Sequence, residues 1–376
     1  MNDDEHVEPH PAVVKTTKTS SGRLLDWIPI ESQVAGGKIA TPPPSLPTYR
    51  SASVATTSEG PRFELDDPAL ERGPQGTVPV LRDLSSHRDR VQRRRADKKG
   101  PRMHPSMKVR GMDLNSIADP DPFGYYHAQS WQSGSFFGGL SDMTVYTPIL
   151  ETAEGHSIYQ MWLIAGSPRQ SVEAGWTVDQ GLNGDLTPHL FTYFTTNDYT
   201  ADGDNIGGYN RFHTGWVQSS ATTFPGSSLV TSSIDHQVNR YDMLFMLWQG
   251  NWWFKIENEW VGYYPASLFG TGAMASSASW LSFGGEVFSG LPDPTRTTSQ
   301  MGSGRKGEHG SDGYSAWQRN IQAITSISAA GATAIDFDGT TAAEDGSRYD
   351  IVQTMRSSTN WGSFFFAGGP GIGTEP

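Results

Sequence analysis

The sequence has no cysteine among its 376 residues. This absence excludes disulfide bonds, thiolate zinc sites and a cysteine nucleophile, although disulfides accompany secretion without being required for it. The chain also lacks HExxH, the helix motif of zinc peptidases, and GxSxG, the nucleophile motif of many serine hydrolases. Its ten histidines are scattered without metal-ligand spacing, so we expect no metal and no cofactor.

Long apolar runs are also missing. No segment approaches the roughly 18 consecutive apolar residues of a membrane-spanning helix, so we expect no membrane partner. The first 30 residues open with acidic side chains and hold no apolar run of signal-peptide length. A signal peptide is therefore not visible in this sequence.

Turn-forming and aromatic residues are abundant. The chain has 42 Gly and 24 Pro, and aromatic residues make up 11% of it, a mixture that favours short strands and many turns. From about Thr144 apolar and polar residues alternate with period 2. This alternation predicts strands at Ile158–Ile164, Val172–Val178, Leu190–Thr196, Arg211–Gln218, Tyr241–Trp248, Trp252–Ile256, Trp280–Val287, Asn320–Ser328 and Tyr349–Met355.

These strands predict an all-β fold, an antiparallel β-sandwich with a curved sheet that bears a cleft. The sequence Gln249–Gly250–Asn251 between two apolar runs is typical of a tight hairpin turn. A short helix is expected only near Pro265–Phe269.

Charge divides the chain into two parts. Residues 1–125 carry 18 Lys and Arg against 17 Asp and Glu, whereas residues 126–376 carry 10 against 23. The second part also holds 11 of the 12 Trp. We therefore predict an N-terminal region over residues 1–122 and a folded domain over residues 123–376.

The N-terminal region is predicted to be largely extended, because its apolar content is thin and prolines interrupt it, as in TPPPSLPTYR (41–50). Leu25–Ile30 is its one local apolar patch and is interpreted as a docking anchor. A basic linker follows at 82–110 with 11 Lys and Arg. It holds no aromatic residue to stack on a base, so a nucleic-acid partner is not expected.

Two glutamates lie inside apolar strands, where a charge is costly: Glu173 in SVEAGW (171–176) and Glu286 in FGGEV (283–287). Strand alternation places Ser171 and Gly175 on the face of Glu173, and Gly284 on the face of Glu286. These small neighbours leave space above each carboxyl group. If the two carboxyl groups face each other, one pKa rises and the pair shares a proton, as general acid–base hydrolysis requires. Two independently satisfied strand glutamates are the alternative.

The residues around the glutamates resemble the neprosin family of glutamic peptidases. Over residues 157–322 the similar strings, in order, are SIYQMWL (157–163), SVEAGWTV (171–178), HLFTYFTTNDY (189–199), GGYNRFHTGWVQ (207–218), YDMLFMLWQGNWWFKI (241–256), VGYYPASLF (261–269), FGGEV (283–287), SQMGSG (299–304) and RNIQ (319–322). The resemblance implies a β-sandwich that cleaves after proline at acidic pH. It places Glu173 and Glu286 at the two catalytic glutamate positions.

The resemblance carries further expectations. Four residues in the strings nearest the glutamates are predicted to line the cleft: Gln160, Trp176, Tyr193 and Gln300. The family is made as a zymogen and secreted, so the expected partners are proline-containing peptides or proteins and the chain's own N-terminal segment as an intramolecular inhibitor. The charge division separately predicts that the basic linker lies across the acidic domain and covers the cleft until acid or salt weakens the attraction. A plain mobile linker is the alternative.

The sequence departs from plant members of the family at one loop. Plant members have cysteines at the positions of Gly208 and His213, so packing is expected to hold this loop, as in a microbial branch.

Two other functions remain open from the residues. Trp248, Trp252, Trp253 and Trp260 would suit a non-catalytic carbohydrate-binding sandwich. Paired carboxyl groups also serve glycosidases.

Overall fold

The computed structural model describes residues 9–44, 61–82, 124–235, 238–328, 331–357 and 360–376. The described part is built from antiparallel strands with one short α-helix, α1 (Gln180–Asn183), and short 3-10 turns. The prediction of an all-β sandwich is confirmed. The 3-10 turns are Ile30–Gln33, Glu64–Asp66, Ala266–Phe269, Ala273–Ala275, Pro294–Arg296 and Gly307–His309.

The strands form three sheets. A three-stranded sheet has the order β1-β2-β3, from β1 (Lys15–Lys18), β2 (Leu24–Pro29) and β3 (Thr77–Leu81). A seven-stranded sheet has the order β17-β4-β14-β6-β7-β8-β9, from β4 (Tyr125–Phe136), β6 (His156–Ala165), β7 (Gln170–Val178), β8 (His189–Thr195), β9 (Gly207–Tyr209), β14 (Ala278–Phe288) and β17 (Thr340–Ala343).

The third sheet has nine strands. Its order is β10-β13-β12-β11-β5-β15-β19-β18, and β16 pairs with β15 beside that path. Its strands are β5 (Gly138–Thr144), β10 (Val217–Gln218), β11 (Arg240–Trp248), β12 (Asn251–Ile256), β13 (Glu259–Pro265), β15 (Trp317–Ser328), β16 (Gly331–Asp336), β18 (Asp350–Thr354) and β19 (Phe364–Gly368).

The main core lies between the seven-stranded and nine-stranded sheets. Alternate residues of β7, Val172, Ala174 and Trp176, are fully buried in it, as strand alternation predicts. Trp252 and Phe254 of β12 belong to the same cluster. One face of the seven-stranded sheet therefore builds the core. The other face, called the outer face below, carries polar groups beside a second, smaller apolar cluster.

Most of the local predictions are confirmed. Gln249 and Gly250 have φ angles of 47° and 73°, as a two-residue hairpin turn between β11 and β12 requires. The predicted strand Arg211–Gln218 is wrong, because only Val217–Gln218 pairs in a sheet. Asn210 has a φ of 53° and the Phe212 N–H donates to the Tyr209 carbonyl, so a turn replaces most of that strand.

Gly208 and His213, where the resemblance places cysteines in plant members, are neighbours in this loop. A Cβ atom at Gly208 would lie 2.7 Å from Cδ2 of His213. The imidazole therefore occupies the space where a second cysteine would pair. This contact fits the expectation that packing holds the loop.

The described N-terminal residues are more organised than their thin apolar content predicted. They form extended strands, but these strands pair in the three-stranded sheet. Leu25 and Trp27 of the predicted anchor pack with Leu65, Leu81 and Phe224, and the last of these belongs to the 123–376 part of the chain. Residues 83–110 of the basic linker lie outside the described residues.

Polar contacts also attach this sheet. Arg23, 1% exposed, donates to the carbonyl oxygens of Leu182 and Asn183 at 3.2 and 3.0 Å. Glu64 accepts from the N–H and the hydroxyl of Ser228 at 3.2 and 3.0 Å.

The core predicts a measurable stability loss. Phe283 of β14 is fully buried and meets Phe337 edge to face at 5.1 Å. Phe283→Ala is expected to lower the free energy of unfolding by about 3–5 kcal/mol, because it removes apolar contacts and leaves a cavity. Urea unfolding measures this loss. Ile335→Ala, at a side chain 43% exposed, is the control and should change stability by less than about 0.5 kcal/mol. Equal losses in the two variants would contradict the assigned core.

Candidate active site

Glu173 and Glu286 lie on the outer face of the same sheet, on strands that flank β6. Glu173 on β7 is opposite Trp162, and Glu286 on β14 is opposite Ile158. The two positions are therefore two strand spacings and four residues apart. With about 4.8 Å between strands and about 3.3 Å per residue, their Cα atoms are about 16 Å apart on a flat sheet.

Gln160 of β6 occupies the midpoint between the two glutamates. It is directly opposite Gly175 of β7 and Gly284 of β14. A Cβ atom would lie 2.0 Å from the Tyr159 carbonyl oxygen at Gly175, and 2.3 Å from the Ala128 carbonyl oxygen at Gly284. Close backbone approach therefore requires glycine at both positions, and no side chain flanks Gln160 along this row.

Glu173 is surrounded by neutral hydrogen-bond donors. Its Oε1 accepts from the hydroxyls of Ser171 at 2.7 Å and Tyr199 at 2.6 Å. Its other oxygen accepts from Gln160 Nε2 at 3.3 Å when the amide is oriented to accept from the Trp162 indole N–H at 2.8 Å. Only 6% of Glu173 is exposed.

Burial dominates the titration of Glu173. It raises the pKa of this carboxyl group to about 7, although the hydrogen bonds from Tyr199 and Ser171 act in the opposite direction. The charge of Glu286 adds a smaller increase. Glu173 is therefore protonated in acid.

Glu286 has two imidazoles as partners. Its Oε2 lies 3.0 Å from His127 Nε2, and its Oε1 lies 2.8 Å from His156 Nε2. A carboxylate only accepts hydrogen bonds, so both facing ring nitrogens carry protons. On its far side His127 Nδ1 is 2.9 Å from Glu344 Oε1, and His156 Nδ1 is 3.8 Å from Asp179 Oδ2.

These imidazoles reverse the effect of burial. Burial alone would raise the pKa of Glu286, but the hydrogen bonds from His127 and His156 outweigh it and lower the pKa to about 2. Burial likewise lowers the pKa of His127, but the charge of Glu344 and the bonds to both carboxylates raise it well above 6.5. Glu286 is therefore ionised through most of the acidic range.

The two carboxyl groups differ because their neighbours differ. The hydroxyl donors of Glu173 are neutral, whereas Glu286 contacts a cationic imidazole. Between about pH 2 and pH 7 the site therefore holds one protonated and one ionised carboxyl group. The difference between the two pKa values comes from these neighbours. It does not require the two carboxyl groups to face each other and share one proton.

The sequence matches the model of a known protein family. The family model described as Neprosin matches residues 153–370, which include both glutamates. The chain belongs to the neprosin family. That membership implies prolyl endopeptidase activity and proline-containing peptide substrates.

Of the other residues predicted for the neprosin cleft, two lie beside the glutamates. Gln160 is at the midpoint described above, and Tyr193 of β8 is directly opposite Glu173. The Tyr193 ring stacks on Tyr199 at 5.9 Å, and its hydroxyl donates to Asp202 at 3.0 Å.

The other two residues lie elsewhere. Trp176 is fully buried on the core face of β7, where it stacks on Tyr159 and donates to the Thr144 carbonyl oxygen. Odd and even residues of one strand face opposite sides, so Trp176 cannot share the face of Glu173. Gln300 lies in the loop after β14, where its side chain accepts a hydrogen bond from the Ile149 N–H.

The sequence did not reveal the histidine and tyrosine partners of the two neprosin glutamates. His127 lies on β4 and Glu344 directly follows β17, two strands that no pattern had predicted, and Tyr199 lies in a turn. The polar residues His127 and Gln129 alternating with apolar ones in YYHAQSW (125–131) were the signal for a half-polar strand.

In the ranges that the structure describes, no group of three or more His, Asp and Glu residues could hold a metal ion. No described helix is long and apolar enough to cross a membrane. Trp252, named for the carbohydrate-binding alternative, is in the core, and Trp253 is fully buried beside Val34 and Ile39 of the N-terminal region.

The imidazole contacts predict the titration of Glu286. In His127→Phe the carboxylate loses a hydrogen bond and a neighbouring positive charge, so its pKa should rise from about 2 by roughly 1–3 units. Carboxyl ¹³C chemical shifts against pH measure this change. His309→Phe, at an exposed histidine bonded to Glu375, is the control and should leave Glu286 unchanged. A pKa that stays near 2 in His127→Phe would refute the assigned role of the imidazole.

Proposed function

We propose that this chain is an acid-acting endopeptidase that cleaves after proline and uses Glu173 and Glu286 to activate water. One observation carries this proposal: the two buried carboxyl groups lie on one sheet face, and their pKa values are displaced in opposite directions. Family membership supports the substrate class. A carbohydrate-binding module would have no use for such a pair.

The protonation states assign the roles. Glu286 is ionised in acid, so it is the base that takes a proton from water as the water oxygen bonds to the peptide carbonyl carbon. Glu173 is protonated, so it gives its proton to the amine nitrogen as the carbon–nitrogen bond breaks. Afterwards Glu286 returns its proton to Glu173 through solvent. No covalent enzyme intermediate is formed.

The pH profile tests this assignment. Activity requires ionised Glu286 and protonated Glu173, so kcat/KM should be high between about pH 2 and pH 7 and fall outside that range. A fluorogenic peptide with proline before the scissile bond gives the rate. Glu173→Gln and Glu286→Gln should each lower kcat by about 10²–10⁴-fold, because each removes a proton-transfer group.

One control variant and one refuting outcome complete this test. Glu308→Gln changes an exposed glutamate and should leave the profile intact. Wild-type proteolysis in both folded dyad variants would refute the mechanism.

We also propose that the N-terminal region is an intramolecular inhibitor that is removed in acid. The packing of residues 9–44 and 61–82 on the rest of the chain supports this proposal. Gln33 bonds to the N–H and carbonyl of Gln218 at 2.8 Å each, and Arg62 pairs with Glu257 at 3.1 Å. Arg23 holds the end of α1, whose Leu182 packs in the apolar cluster of the outer face. The covering role of residues 83–110 stays a prediction.

The contacts of Glu64 allow a test of the inhibitor. Its carboxylate accepts hydrogen bonds from Ser20 in the N-terminal region and from Ser228 in the rest of the chain. Glu64→Ala should therefore weaken the attachment of the N-terminal region by about 1.5–3 kcal/mol. The acid pre-incubation needed to reach full activity should then become shorter, as assayed with the same peptide. Glu71→Ala is the control, because Glu71 is 70% exposed and pairs only with Lys15 among the described residues. A full-length chain that is fully active without acid treatment would argue against an inhibitor.

A further inference from the structure

We infer that Gln160 is a third catalytic residue, whose side-chain N–H binds the carbonyl oxygen of the scissile peptide. The inference rests on the function proposed for Glu173 and Glu286. Register places Gln160 at the midpoint of the line between them. A peptide carbonyl that lies within reach of both carboxyl groups therefore lies over this side chain.

The amide of Gln160 has a fixed orientation. The Trp162 indole N–H can only donate, so the amide oxygen faces it at 2.8 Å and the NH₂ group faces Glu173 Oε2 at 3.3 Å. One Nε2 proton bonds to Glu173. In the part of the chain that the structure describes, no acceptor takes the second proton. The side chain is 1% exposed, so an unused donor there is costly unless a ligand completes it.

The surroundings admit a peptide backbone. Gly175 and Gly284 flank Gln160 on either side of the row, and backbone contacts exclude side chains at both positions. A substrate chain laid along this row meets the amide with Glu173 on one side and Glu286 on the other. The outer face beyond it is apolar, with Ile158, Trp162 and Trp280 in one cluster. Apolar walls strengthen a hydrogen bond to a developing charge.

The chemical step balances with Gln160 as a neutral donor. The water oxygen bonds to the carbonyl carbon, its proton passes to Glu286, and the carbonyl π pair moves onto oxygen. Negative charge leaves Glu286 as it appears on that oxygen, which the Gln160 N–H stabilises without giving up its proton. The pair then reforms the carbonyl, the carbon–nitrogen bond breaks, and the amine takes the proton of Glu173.

The experiment uses the full-length chain, incubated in acid, with the same proline peptide. Gln160→Met keeps the length of the side chain and removes the donor. The loss of one donor to the developing oxyanion is expected to lower kcat by about 10²–10³-fold while KM changes by less than about threefold. Gln170→Met is the matched control: Gln170 is a buried glutamine on the core face of β7 that bonds to the Phe269 carbonyl oxygen. It should lose stability and keep kcat.

The outcomes separate this inference from the proposed function. If Gln160→Met keeps kcat while Glu173→Gln and Glu286→Gln are inactive, the glutamate mechanism stands and the role of Gln160 is refuted. An inactive wild-type chain would refute both. If Gln160→Met does not fold, Trp162→Phe is the deciding variant. It keeps Gln160 but removes the indole N–H that fixes the orientation of the Gln160 amide. A drop in kcat of about tenfold supports the inference, and an unchanged kcat overturns it.

Discussion

The site depends on the burial of two carboxyl groups on one face of one sheet. Burial makes ionisation costly, so the hydrogen-bond partners decide the protonation state of each group. Neutral hydroxyls leave Glu173 protonated, whereas His127 and His156 keep Glu286 ionised. Strand β6 keeps the two groups apart, so each state is set locally. A single fold can therefore hold an acid and a base from the same residue type at the same pH.

The seven-stranded sheet combines packing and chemistry through strand alternation. Within β7, Glu173 faces outward between Val172 and Ala174, which are fully buried in the core. The backbone that positions the carboxyl group is therefore fixed by apolar packing one residue away. This arrangement explains how a charged site can sit on a sheet that the chain cannot easily deform.

Local pattern predicted the sandwich, eight of the sixteen described strands in its two large sheets and the strand positions of both glutamates, because alternation and small neighbours act over a few residues. It could not predict hydrogen-bond partners that are distant in the sequence and become neighbours only through strand pairing. Glu344 is 217 residues from His127, and only the pairing of β17 with β4 makes them neighbours. Gln300 was predicted to line the cleft because it falls in the family string SQMGSG (299–304), but its side chain accepts a hydrogen bond from the Ile149 N–H. Trp176 could have been assigned to the core by the same alternation that placed Glu173 outside.

The register around Gln160 has a consequence for the direction in which a substrate binds. Glu173 and Glu286 lie on opposite sides of Gln160, but β7 and β14 are both antiparallel to β6 and therefore run in the same direction. The backbone of the site therefore has a single direction, and the proton resides on Glu173, to one side of Gln160. In the proposed mechanism, backbone direction and charge asymmetry together select which end of the cleaved bond faces which glutamate.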